Sequence, residues 1–140
     1  MISIRDTEIY TSVLKKFDYS FGNVYVFNEF VVSEINHGVN FSWDEHAKHI
    51  VDDVVGYLGT DGQDIVYISN RINSYAVIAA DWFKFFKLGY GLKGYFIVSD
   101  RPVSRMGVLI ENLFFKNKIK HFTSIYEAID WAKKGVLESA

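Results

Sequence analysis

Cysteine is absent from the 140-residue chain, which excludes disulfides, thiolate metal sites and cysteine nucleophiles and is compatible with a reducing cytoplasm. Proline occurs once, at Pro102, and no low-complexity linker or internal repeat divides the chain. An excess of basic charge is also missing. Fifteen Lys plus Arg stand against 17 Asp plus Glu, a net charge of -2, so the electrostatic footprint of a general nucleic-acid binder is not there. No run approaches the roughly 18 apolar residues that would cross a bilayer. Met1 to Tyr10 carries Arg5, Asp6 and Glu8 where a signal peptide needs an apolar core. The expectation is a cytoplasmic protein with no membrane span.

Catalytic signatures are equally scarce. The chain has no G-x-S-x-G elbow, no G-x-x-x-x-G-K-[ST] loop and no G-x-G-x-x-G after a strand, since Gly89-Tyr-Gly91 precedes one instead. A phospho-acceptor receiver would need an acidic pair closing its first strand, whereas Asp52-Asp53 fall inside a helical pattern. These absences lead us to expect no enzyme, no cofactor and no metal.

What the chain has in plenty is apolar and aromatic residues, 49% and 17%, enough to offset the ordering entropy of a folded core. Its length suits one domain over residues 1–140, with residues 1–8 expected as a frayed leader. Phe17, Tyr19 and Phe21 alternate with Asp18 and Ser20 at strand period, Gly22-Asn23 reads as a tight turn, and Val24–Phe27 and Phe30–Asn36 continue as antiparallel β structure. Ser42 and Glu45 form a capping box for a helix to about Leu58, its inward face Ala47, Ile50, Val51, Val54 and Leu58, its stop Gly59.

Ile65, Val66, Tyr67 and Ile68 make a continuous apolar run of the kind buried on both faces. A polar loop through Tyr75 follows. Asp81 opens a short aromatic helix, Trp82 to Leu88, ended by Gly89. Tyr95–Val98 is a second buried-type strand. Pro102 opens a helix whose core face reads as Met106, Leu109, Ile110 and Leu113, and Asn117 closes it. Ile119–Phe122 reads as an edge strand, and Ser124 with Glu127 caps a last helix, Ile125–Lys134, facing inward through Ile125, Ala128, Ile129 and Ala132. Strands alternating with helices require crossovers, so the later strands are expected to be parallel. The fold class is α/β, a sandwich with a mixed sheet, antiparallel at the N-terminus and parallel later, flanked by about four helices.

Three groups of side chains are candidate sites. Ser69, Asn70, Arg71, Asn73, Ser74 and Tyr75 crowd the carboxyl end of the central strand, where open α/β sheets meet their ligands. With Asp100 and Arg101 after the neighbouring strand, they offer a phosphate or acidic-peptide site. The same residues also serve as ordinary turn chemistry, and an Asp100–Arg71 ion pair would do nothing catalytic. His46, His49 and Asp53 lie on one flank of the first helix, where a solvated polar flank is the commoner explanation than a metal. Trp82, Phe83, Phe86 and Phe115, with Leu88, form either a hydrophobic patch or a buried helix–helix seam.

The element order over about Phe17 to Lys134 resembles the STAS or SpoIIAA-like fold, in particular short bacterial STAS/Sec14-like chains. So do the segments Ile65-Val-Tyr-Ile-Ser-Asn-Arg-Ile-Asn-Ser-Tyr75 and Phe122-Thr-Ser-Ile-Tyr-Glu-Ala-Ile-Asp-Trp131. The resemblance implies a SpoIIAA-like sandwich and a regulatory module that binds a protein partner through the loop after the central strand. In that family the loop carries an Asp-Ser-Ser-Gly type motif with a phosphorylated serine. Ser74 is the nearest serine here, Asn73 replaces the acidic residue, and Tyr75-Ala76 replaces the glycine. The leading expectation is a non-catalytic interaction module, with a homodimer through the aromatic patch as an option. The alternative is a carrier of a small apolar or lipid-like ligand, suggested by the aromatic surplus and by Sec14-type kinship.

Overall fold

A computed structural model describes residues 1–102, 105–116 and 118–134 of the chain. Asn117, expected to end a helix, lies outside the described residues. The expected mixed α/β architecture is what the chain forms. Six strands, β1 (Lys15–Tyr19), β2 (Gly22–Val26), β3 (Phe30–Ile35), β5 (Val66–Asn70), β7 (Gly94–Val98) and β8 (Ile119–Phe122), lie in the order β1-β2-β3-β5-β7-β8. The pairs β1–β2 and β2–β3 are antiparallel, and the remaining three are parallel. The helices are α1 (Lys48–Leu58), α2 (Trp82–Lys87), α3 (Arg105–Phe115) and α4 (Ile125–Lys133). A second, two-strand parallel ladder joins β4 (Asn40–Phe41) to β6 (Ala76–Val77). Two residues per strand are too few to show a period in the sequence.

Strand alternation sends each sheet face to a different cover. On one face Tyr25, Val32, Ile68 and Phe96 pack with Ile125, Ala128, Ile129 and Ala132 of α4, as the periodicity predicted. Ile4 of the N-terminal segment joins that core with no exposed surface. On the other face α1 covers β2 and β3, through Ile50, Val54 and Leu58 on Val24, Val26 and Val31. There α2 and α3 cover β7 through Trp82, Phe86 and Phe115.

Several expectations need correction. Residues 1–8 are not frayed, because the buried Glu34 carboxylate accepts from Ser3 Oγ and Ile4 N, both at 2.7 Å, and holds two short 3-10 turns in place. The first hairpin turns at Ser20-Phe21, and Gly22 already belongs to β2. A Cβ on Gly22 would stand 2.5 Å from the Glu34 carbonyl oxygen, so glycine is required there for close strand approach and not for the turn. Met106, Leu109 and Leu113 do not form the core face of α3. They are 66%, 57% and 75% exposed, and the helix instead buries Glu111 and Phe115. Helical period alone could not choose between the two apolar-containing sides, and the Glu111 side wins because Phe115 fits against Trp82 and Tyr95. Ser124 occupies the N-cap of α4, yet its side chain makes no capping hydrogen bond.

The first capping box is altered in an informative way. Ser42 Oγ accepts from Glu45 N at 3.2 Å as expected. The reciprocal bond to Ser42 N is made by His46 Nδ1, at 2.9 Å, and not by Glu45. The segment Trp43–Ala47 is a π-helical turn ahead of α1. That wider turn brings the fourth residue, not the third, back over the cap. Gly59 then ends α1 in the left-handed region at φ 68°.

Candidate functional site

The register of the parallel strands places Val31, Tyr67 and Tyr95 side by side across the sheet. Tyr67 and Tyr95 stack, ring centroids 5.4 Å apart and 3° from parallel. Helix α1 lies to one side of this row and α2 to the other. Between them opens a cleft of about 120 Å³, with Val31, Tyr67 and Tyr95 among its lining residues. For comparison, an engineered apolar cavity of about 150 Å³ holds a benzene ring.

The cleft follows from side-chain size. The α1 residues facing it, Ile50, Val51, Val54, Val55 and Leu58, are aliphatic, and no residue of α1 is buried. The hydrophobic face predicted for this helix is therefore correct in its residues, but part of it faces open space. Opposite stand the rings of Trp82 and Phe85. Trp82 is held back by Glu111, whose Oε2 accepts from the indole Nε1 at 2.6 Å, and by an edge-on contact with Phe115 at 4.8 Å. Phe41, Val77 and Ile78, on and beside the β4–β6 ladder, line the cleft as well. The π-helical turn contributes Trp43 and Ala47 to the wall. Such turns concentrate at functional sites.

The polar tips of the aromatic walls are turned to internal partners. Tyr67 OH pairs with Ser33 Oγ at 2.7 Å, and Tyr75 OH with Ser69 Oγ at 2.6 Å. Tyr95 OH accepts from Arg71 Nη2 at 2.9 Å and also hydrogen-bonds the Glu111 carboxylate. Arg71 Nε donates to Ser69 Oγ at 3.1 Å, and the guanidinium lies 5.4 Å from the Tyr75 ring centroid. With their hydroxyls and indole N–H so engaged, Tyr67, Tyr75, Tyr95 and Trp82 present chiefly ring surface to the cleft.

Charge states follow the same arrangement. Burial pushes the Glu111 carboxyl above the usual range, against the lowering effects of Trp82, Arg71 and Tyr95. Tyr95 is raised well above a free phenol, by burial first, despite the nearby Arg71. Burial alone would lower Arg71, but Tyr95, Tyr75 and Glu111 together hold it above its ordinary value, so it stays a cation.

The loop residues singled out in the sequence are largely internal. Ser69 and Asn70 are buried, with Asn70 Nδ2 donating to Glu34 Oε2 at 2.8 Å and to the Ile2 carbonyl at 3.1 Å. Asn73 Nδ2 donates to the Ile35 carbonyl, while Ser74 is exposed. Arg101 Nη2 donates to the Arg71 carbonyl at 2.8 Å, bringing the two loops together. Asp100 is 3.8 Å from Arg101, its own neighbour, and the Asp100–Arg71 pair weighed as an alternative to a site is not formed. Turn and core chemistry therefore accounts for Ser69, Asn70, Arg71 and Asn73. Only Tyr75 of that set lines the cleft.

Neither of the other candidates assembles as a site. His46 is tied to Ser42 and packed between Phe21 and Phe41, and Asp53 accepts from Tyr19 OH at 2.6 Å. Among the described residues no group of three or more His, Cys, Asp or Glu could hold a metal. The aromatic set does not form one surface patch. Phe115 is 2% exposed, Trp82 and Phe86 pack on it, and Phe83 alone of the four stands exposed, at 57%. No helix among the described residues is long and apolar enough to cross a membrane.

The sequence reading missed the cleft because periodicity marks which residues face inward and not whether anything meets them. A faint signal was available in the run of aliphatic residues of α1 set against an aromatic surplus in α2. No protein-family model matches the chain, and no curated protein matches it at a significant level.

Proposed function

We propose that this protein is a non-catalytic binder of a small apolar molecule, taken up between α1 and α2 above the Val31-Tyr67-Tyr95 row. One observation carries the reading: an aliphatic helix face and an aromatic wall stand apart around about 120 Å³, while the polar tips of the wall are satisfied elsewhere. Concave, mostly apolar, preformed sites of this kind are what small ligands occupy. Filling the gap with side chains would be the simpler way to gain stability. The STAS/Sec14-like resemblance is consistent with the reading and remains part of the proposal.

The test is a titration with 1-decanol and with indole, read by thermal melting and by tryptophan fluorescence. Trp43 and Trp82 line the cleft, and Trp131 lies beside Phe122 away from it. Val51→Phe is expected to abolish the response while leaving the unliganded melting temperature equal or higher, because the new ring fills the cleft. A response in Val51→Phe equal to that of the natural chain would sink the reading.

A second reading, as a protein-interaction module, rests on a different surface. Met106, Leu109 and Leu113 of α3 form an exposed apolar stripe at helical spacing. Leu109→Lys is expected to abolish partner capture under this reading without changing the response to decanol. Equal capture by both chains would remove it.

A further inference from the structure

The charged side chains that line the cleft are of one sign. We propose that the ligand of the cleft carries no negative charge: an apolar amine or alcohol is accepted, and a carboxylate or phosphate of the same apolar body is rejected. This rests on the binding function proposed above.

Among the described residues, those lining the cleft include no lysine, arginine or histidine, and their two charged members are both acidic, Asp61 and Asp81. They stand at opposite ends of α1. Asp81 lies beside Trp43, whose backbone N donates to Asp81 Oδ2 at 2.8 Å, and Lys84 approaches its other oxygen at 3.7 Å. Asp61 follows the C-terminal end of α1, in the turn after Gly59. Its carboxylate accepts from Gln63 N at 3.0 Å and Gln63 Nε2 at 3.4 Å, both neutral donors. The last carbonyls of α1 add the negative end of a helix dipole on the same side. The Asp61 mouth therefore favours a cation, tolerates a neutral group and repels an anion.

The part-buried Arg71 gives an anionic head no escape from this. Arg71 sits behind the tyrosine rings, held by Ser69, Tyr95 and the Tyr75 face, and is not among the lining residues. Lys84 projects outward to Asp44 at 3.3 Å. A carboxylate drawn into the cleft would lose its water without gaining a cationic donor, which costs far more than moving a neutral group. The α1 face is 11 residues long, roughly 16 Å at the usual helical rise. An extended alkyl chain can lie along it, part of it within the cleft and the rest along its open side, and bring its head group to the Asp61 end.

The decisive experiment holds the tail constant and changes the head. Decylamine, 1-decanol and decanoate are titrated at pH 7.5, each kept monomeric, and followed by tryptophan fluorescence with Val51→Phe as the blocked control. The amine and the alcohol are expected to bind, with decanoate at least tenfold weaker than the alcohol. Asp61→Asn, which keeps the oxygen that accepts from Gln63 N, is expected to remove the advantage of the amine over the alcohol. Decanoate binding as tightly as decanol would overturn the charge preference and leave the cleft as a ligand site. Failure of all three ligands and of indole to bind would remove the proposed function itself.

Discussion

The indole of Trp82 and the carboxylate of Glu111 meet at 2.6 Å across the α2–α3 seam, and this bond fixes one wall of the cleft. Glu111 is 4% exposed and also meets Tyr95, which in turn receives Arg71. Loop, strand and two helices are thus joined through one acidic group. Loss of the group should be felt at the cleft. Glu111→Ala is expected to shift Trp82 emission and weaken decanol binding several-fold, whereas Glu111→Gln, which keeps an acceptor for the indole, should retain most of the binding.

The same carboxylate makes a pH prediction. Burial raises its pKa in the folded chain, so the folded state holds the proton to higher pH than the unfolded state does. Stability from this group is full below the unfolded value near 4.5 and is lost as pH rises through the folded pKa. Between the two values the slope is about 1.4 kcal/mol per pH unit. Urea midpoints of the natural chain and Glu111→Gln, compared at pH 4.5 and pH 8, should show the natural chain losing ground relative to the variant at pH 8. A constant difference would contradict this.

Arg71 and Ser74 separate structural from surface roles in one loop. Arg71→Ala takes one hydrogen bond each from the Tyr95 and Ser69 hydroxyls, which keep Glu111 and Tyr75 as partners, and removes a cation from beside Glu111, so a loss of about 2–3 kcal/mol is expected. Ser74 is exposed, and Ser74→Asp should change stability by no more than about 0.5 kcal/mol. Chemical denaturation of both variants checks the contrast. Comparable losses would mean that the loop is not organised as described.

Gly62 closes the floor at the far end of α1. Its φ is 97°, and a Cβ would collide with the Gly91 carbonyl oxygen. Gly62→Ala is expected to cost about 3 kcal/mol, from backbone strain together with that collision. Gly38 has φ 80° with open space around it, so Gly38→Ala should cost only the strain, about 1 kcal/mol. Denaturation midpoints in that order support the assignment, and the reverse order would refute it.

Glu34 anchors the N-terminal segment. Replacing it by alanine leaves Ser3 Oγ, Ile4 N and Asn70 Nδ2 short of an acceptor in a buried place. The expected loss is about 3 kcal/mol or more, accompanied by faster amide exchange over residues 3–7. Unchanged exchange there would show that the segment is held by Ile4 packing alone.

The local signals in the sequence determined most of the elements. Strand alternation in Phe17–Tyr19, the Ser42 cap, the Gly59 stop and the helical spacing of Ile125, Ala128, Ile129 and Ala132 each depend on neighbours within a few residues, and each appears in the fold, although Phe21, read as part of that strand, lies in the turn. Alternation of strands and helices likewise implied the parallel pairs, because a crossover brings successive strands into the same direction. What tertiary structure alone decided is where apolar faces find partners. Met106, Leu109 and Leu113 have the period of a buried stripe and lie in solvent. The α1 face has the same kind of period and borders a cleft. Ser69 and Asn70 are of the kind found at an exposed polar site, yet they are buried because Tyr75 and Glu34, six and 36 residues away, receive them. Periodicity reports which side of an element is apolar, and only the packing of distant segments determines whether that side meets protein, water or a space left open.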